Sequence, residues 1–336
     1  MAVTVKDVLT ALDKITGGRV VTSVSSFVDG TNPFVVTKSS NLPGKAITET
    51  PGLVCGSLEK EVNKIGVCMT MSESDIELAG ATGINVLIAH HPIADATNSG
   101  GVPLRGYLEL YGLAAFELHE AFHGLHPGIP FLHGHKTFRV EVRYGGVPGN
   151  IVFLGNTLPE VKTLQDILDR LDRHMGRSNE LSLLEAERKI RGSENINETS
   201  IETAPNILVG APDNQVETVL HMFPHTGFSP EHMEQLFNEH REIDTVVASI
   251  SRVDNNHRLV KKAQELGLNF LVGNSHAQEI FENGTPLAKA IQLYLPNVEV
   301  YLFQERVTAT SVTEFGSKAI QEYADGIVRE HLSPKS

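Results

Sequence analysis

Two adjacent histidines, His90 and His91, close the run Gly83-Ile-Asn-Val-Leu-Ile-Ala-His-His-Pro-Ile-Ala-Asp95. The apolar stretch Ile84 to Ala89 is short, bounded and rich in branched residues, which predicts a buried strand. At a strand's end the up-down alternation can lapse, so two neighbouring rings can converge on one point. Neutral imidazole is the commonest protein metal ligand, so the chemistry on offer is metal binding. Seven of the fifteen histidines lie between 90 and 135: His90, His91, His119, His123, His126, His133 and His135. That density favours a shared site over unrelated surface rings.

On a helix, His119 and His123 would be four apart and share a face. His119-Glu120-Ala-Phe-His123 also has the His-Glu-x-x-His spacing of zinc proteases, with Glu120 as an acid/base candidate. A zincin needs a long helix and a third ligand downstream. Gly124 and Pro127 close this segment at once, so the protease stands as a lesser alternative. His133 and His135 are additional candidates, as metal ligands or substrate contacts. In the second half, His276 and Glu279 follow another apolar run, with Glu279 as ligand or proton carrier.

The elements that must position these residues alternate between strand and helix. Lys64 to Met71 reads as a strand. Ser72 and Ser74 are N-cap candidates for a helix Asp75 to Ala81, and Gly83 is a C-cap candidate. With strand 84–89 this makes a right-handed βαβ unit, its histidines at the carboxyl end of a strand, where open α/β sheets place their sites. Ile243 to Ile250, a helical stripe over Asn255 to Leu266, and Gly267 to Glu279 repeat the pattern. The expected fold class is α/β: two related halves with mixed sheets that bring His90–His91 and His276/Glu279 to one composite site. The expected division is 1–135, a connecting and variable region 136–240, and 241–336.

Elsewhere, Val5 to Ile15 and Thr163 to Met175 carry helical stripes. Ser229-Pro-Glu-His232 opens a helix with Pro230 in its first turn, and Val312 to Leu332 reads as a terminal helix. Residues 28–52, rich in Gly, Pro, Ser, Thr and Asn, read mainly as loop. Residues 177–204 read as a solvated helix and exposed loop. His174, His221, His225, His232, His240, His257 and His331 are scattered and receive no role.

The chain of 336 residues is long enough for one large or two ordinary domains. A net charge of −13 makes nucleic acid an improbable partner. Cys55 and Cys68 form no metal-type pair and read as small apolar residues. No apolar run has membrane-spanning length and no signal peptide opens the chain, so the expectation is a soluble cytoplasmic protein with no membrane partner.

Taken together, these blocks resemble the Nif-three-like proteins, a family with a dinuclear metal centre, some of whose members are labelled GTP cyclohydrolase I, type 2. Gly52-Leu-Val-Cys-Gly56 looks like the family's early Gly-Leu-x-x-Gly segment. Lys64 to Pro92 looks like its strand-helix-strand ending in His-His-Pro, the most specific motif. Gly112 to His123 looks like the block that normally ends in His-Thr-x-x-Asp, and Gly273 to Glu279 like the late Gly-His-x-x-x-Glu block. Asn150 to Met175 resembles the segment after the middle block. Two departures matter. His123 stands where the family has an aspartate ligand, and Ser275 takes the usual histidine place, with His276 three residues before Glu279. Imidazole in place of carboxylate removes a negative charge and favours Zn²⁺ or Fe²⁺, with Mn²⁺ as a further candidate, over Mg²⁺.

The resemblance implies two divalent ions per chain, held by His90, His91, His123, His276 and Glu279. It implies a metal-dependent hydrolase for a cyclic-amide or purine-like small molecule, and a homohexamer. The alternative is a non-catalytic metal-binding or regulatory protein of the same family.

Overall fold

The structure, a computed structural model, describes residues 2–23, 30–39, 46–92, 104–122, 125–126, 128–141 and 151–332. Strands β1 (Val36–Ser39) and β2 (Ala46–Glu49) form a hairpin-like pair. This corrects the loop expected over 28–52. Branched residues outweigh the Gly and Pro punctuation there: Val36 and Ile47 lie in the paired strands, and the Thr37 and Thr48 hydroxyls hydrogen-bond across them at 2.7 Å.

The βαβ unit around His90 forms as its sequence predicts. β4 (Lys64–Cys68) and β5 (Val86–Ala89) pair in parallel around helix Glu73–Thr82. Ser72 caps that helix by accepting from the Asp75 N–H, while the Asp75 carboxylate accepts from the Ser72 N–H. Gly83, at φ 71°, ends it in the left-handed conformation that an L side chain resists.

With β3 (Gly52–Cys55), β6 (Ala114–Glu117) and β14 (Glu299–Leu302), these strands build a sheet in the order β14-β4-β5-β6-β3. Only β3 runs antiparallel. β5 and β6 are buried along their whole length, as expected of a sheet covered on both faces. Val8 and Leu12 of helix Val5–Ile15 pack with Leu287 and Ile291 of helix Thr285–Tyr294 in one apolar cluster. Ile76, Ala79 and Leu108 belong to a second cluster that also takes in Leu87 and Ala89.

The second sheet comprises β7 (His135–Glu141), β8 (Val152–Thr157), β10 (Asn206–Val209), β11 (Thr218–Met222), β12 (Thr245–Ile250) and β13 (Asn269–Ser275). Its order is β10-β13-β12-β11-β8-β7. β11, β12 and β13 are parallel, and the outer strands antiparallel. β12, helix Arg258–Glu265 and β13 are the second βαβ unit. The remaining strand β9 (Asn197–Glu198) pairs with β15 (Thr308–Ala309).

The sheets cut across the expected boundaries. Residues 136–240 supply β8, β10 and β11 and most of β7, and β14 returns from the last hundred residues to the first sheet. Pairing is decided by three-dimensional proximity, which composition does not report. The tail is helical over Lys318–Ile327 and continues as a π-helical turn to Leu332, shorter than expected because Val312 to Ser317 stay outside it. Its apolar Val312, Phe315, Ile320, Tyr323, Val328 and Leu332 are exposed.

One glycine tests the close packing of the second sheet. A Cβ on Gly273 would meet His133 Nε2 at 2.2 Å and Ser249 Cβ at 3.3 Å. Both neighbours are buried, so neither can give way. Gly273→Ala should cost about 1–3 kcal/mol, read as a lower thermal midpoint at unchanged secondary structure.

Candidate metal centre

The backbone places His90 and His91 by continuing the ladder past β5. The His90 N–H donates to Cys68 O and the His91 N–H to Met69 O, at 3.0 and 2.8 Å. The His119 N–H donates to His90 O at 2.8 Å, which brings the end of β6 alongside. From the other sheet, β13 ends at Ser275 and the chain turns through His276–Gln278 to Glu279. Ile250, at the matching end of β12, has φ 65°, where the ladder shifts between Ala248 and Ile250. A branched residue there is strained, and such strain gathers at functional sites.

The Glu279 carboxylate sits between the two imidazoles. Its Oε1 is 3.3 Å from His90 Nε2 and its Oε2 is 2.9 Å from His91 Nε2. His90, His91 and Glu279 each offer a ligand atom within 4.8 Å of the others, and among the described residues they are the group that does so. Ligands on a tetrahedral ion with bonds near 2.0–2.1 Å lie about 3.3 Å apart, so the donor set fits a divalent cation. Asn283 Nδ2 donates to Glu279 Oε1 at 2.8 Å, and Thr70 Oγ1 lies 2.8 Å from His91 Nδ1. With Nδ1 on the threonine, His91 turns Nε2 inward, the outer support that metal-bound histidines ordinarily have. Burial alone would push the Glu279 carboxyl up. The charge of His91 and the hydrogen bonds from both rings outweigh it and hold the carboxyl well below its ordinary range.

Other candidates fall around this core. The His119 ring centroid is 5.7 Å from that of His90 and 6.0 Å from that of His91. Its Nδ1 is 2.7 Å from Glu49 Oε2. The His276 ring lies 5.6 Å from His91, outside the three-residue group. His123 and the side chain of Glu120 lie outside the described residues. Helix His119–Phe122 has four residues and Leu125–His126 already form a bend. Among the described residues no long helix of the kind a zincin needs runs through this segment.

Sequence reasoning missed Glu49, Thr70, Asn283 and Glu305. Glu305 accepts from the Thr70 N–H at 3.4 Å, and burial raises its carboxyl above the ordinary range. No motif marks these four. Glu49 was hidden in the supposed loop, although it ends a stretch of branched residues.

His133 and His135 are not at the centre. Both are fully buried against the second sheet, together with His221. His221 Nδ1 is 3.2 Å from His135 Nε2, and His221 Nε2 is 2.6 Å from Ser249 Oγ. Burial lowers His133 to about 4 and His135 to about 3, and holds His221 well below its ordinary value. These buried rings lie apart from the His90–His91–Glu279 group. A cavity of about 720 Å³ lined by Leu53, Cys55, Lys60 and Leu113 lies at the amino end of β6, the opposite end from His119.

Residues 36–96 match the family model described as Duf34/NIF3 (NGG1p interacting factor 3). No curated protein matches the chain. Among solved structures, a Bacillus cereus protein related to NIF3 is 13% identical with a TM-score of 0.54, over 91% of this chain and 98% of its own. The Thermus thermophilus protein TTHA1606 is 15% identical with a TM-score of 0.53, over 92% and 100%. Reduced HcgD from Methanocaldococcus jannaschii is 16% identical with a TM-score of 0.50, over 84% and 98%. What is shared at these identities is the fold.

Proposed function

We propose that this chain, whose residues 36–96 match the Duf34/NIF3 family model and whose fold is shared with a NIF3-related structure, is a metal-dependent hydrolase of a cyclic-amide or purine-like small molecule. The observation that carries the reading is the convergence of His90, His91 and Glu279 on one point. Structural zinc sites are closed by four protein ligands, whereas catalytic ones use three and keep a position for water. Two imidazoles and one carboxylate suit Zn²⁺ or Fe²⁺ better than Mg²⁺. A bound divalent ion would supply an activated water, its pKa lowered to roughly 7 in the best case, and would polarise a carbonyl-type carbon.

The chain's own groups do the rest. Glu279 and His91 are held rigidly by Asn283 and Thr70, so little reorganisation is needed when charge develops. Glu49 on Nδ1 of His119 makes Nε2 the basic nitrogen of that ring, and His119 joins Glu279 as a candidate to carry protons. A second ion of a dinuclear centre would draw on His276 and His119, whose rings flank His91. The exposed apolar tail supports self-association, and we carry the homohexamer and a cytoplasmic setting as part of the reading. No helix of the described residues is long and apolar enough to cross a membrane.

Elemental analysis tests the proposal directly. Protein purified from metal-replete medium should carry at least about one Zn or Fe per chain, and His91→Ala should lose it. A wild-type preparation with well under one ion per chain would sink the reading. Metal that binds without metal-dependent turnover of cyclic amides or purine nucleotides would leave the regulatory alternative in its place.

A further inference from the structure

We propose that Glu282 is a positioning residue of the metal centre: a buried acid that acts through Asn274 and the π-helical turn Ile280–Gly284 to fix the pose of Glu279. The inference rests on the metal reading of Glu279. Glu282 is fully buried three residues beyond that ligand and outside the ligand group. Its Oε1 accepts from Asn274 Nδ2 at 2.9 Å. The Asn274 N–H donates to His133 Nε2 at 3.2 Å, and His133 Nδ1 donates to Ile129 O at 2.8 Å. Glu282 is therefore tied into β13 and into helix Gly128–Leu132 by a chain of buried hydrogen bonds.

The turn it sits on is unusual. π-Helical turns are rare and gather at functional sites. This one is closed by Thr285 Oγ1 donating to Ile280 O at 3.1 Å. It has room for no side chain at Gly284, where a Cβ would meet Ile280 Cδ1 at 2.4 Å and Met69 Cε at 3.0 Å. Asn283, next to Glu282, holds Glu279 Oε1 at 2.8 Å and reaches His90 Nε2 at 3.4 Å. One side of the turn thus grips the ligand and the other grips the second sheet. Among the described residues, Glu282 Oε2 makes no hydrogen bond. A buried ionised oxygen could not be left so, and burial pushes this carboxyl well above its ordinary range. A neutral acid anchors by hydrogen bonding without competing with Glu279 for a cation.

The experiment is zinc titration of the metal-stripped full-length protein by competition with a chromophoric chelator, with thermal melts alongside. Glu282→Gln, which keeps shape and hydrogen bonding without charge, should bind within about threefold of wild type. Glu282→Leu should fold but bind about 10- to 100-fold more weakly, the usual cost of losing an outer support. If Glu282→Leu does not fold, Asn274→Ser removes the same amide donor and should show the same weakening. Wild-type affinity in a folded Glu282→Leu or Asn274→Ser overturns the proposal. So does a Gln variant as weak as the Leu variant, which would make Glu282 an anionic ligand. A wild type that binds no zinc instead overturns the metal reading itself.

Discussion

Glu279→Gln should strip the centre of metal while leaving the fold intact. The side chain is 4% exposed and its two oxygens face His90 and His91 separately. Glutamine keeps the volume and can still meet Asn283, so packing is preserved. It cannot supply the negative charge that offsets a divalent cation in a buried site, where charge is costly to leave uncompensated. Loss of an outer support costs about 10- to 100-fold in metal affinity, so loss of a ligand should exceed about 100-fold. The measurement is metal content by elemental analysis together with a zinc titration. A Gln variant that retains wild-type stoichiometry and binds within tenfold would place the ion elsewhere. The depressed carboxyl also gives a sign. Its stabilising contribution is complete above the unfolded value near 4.3 and disappears as pH falls through the folded value, so it adds no pH dependence above about pH 5.

The metal-free protein should lose stability between pH 7.5 and 5, and Glu282→Gln should lose more. Folded His133 and His135 titrate at about 4 and 3, and His221 well below 6.5, because burial disfavours their charged forms. Unfolded histidine titrates near 6.5, so between 6.5 and 5 only the unfolded chain takes up these protons. At pH 5 His133 and His135 then cost about 2 kcal/mol each, about 4 kcal/mol together, and His221 acts in the same direction. Glu282 works the other way. Its raised value means that folding binds a proton, so its contribution improves as pH falls. The Gln variant should therefore lose about 4 kcal/mol or more, a large share of the stability of an ordinary domain, and the wild type less. Urea unfolding at the two pH values measures both. A Gln variant equally stable at pH 7.5 and 5 would mean that the cluster protonates while folded.

The parts legible in the sequence are those written in short-range pattern. Ser72 and Asp75 announce their capping box, Gly83 its left-handed cap, and Ile84 to Ala89 their buried strand. The late block is legible in the same way, because β13 and Glu279 lie within eleven residues. The hairpin of β1 and β2 was not, since its branched residues are diluted by loop formers. Nor was the character of His133 and His135, because a histidine in a core and a histidine on a metal look alike until burial is known.

The sequence by itself determined that His90 and His91 end a buried strand and that Glu279 follows closely on another. Hydrophobic period, caps and glycine hinges act over a few residues and need no knowledge of the rest of the chain. Only the tertiary structure decided that these two strand ends meet, 188 residues apart, with Glu279 between the rings. It alone brought Glu49 to His119, Thr70 to His91 and the Glu282 turn against the second sheet. Those contacts depend on how two sheets pack, and packing is settled by the summed burial of many side chains, which no local pattern carries.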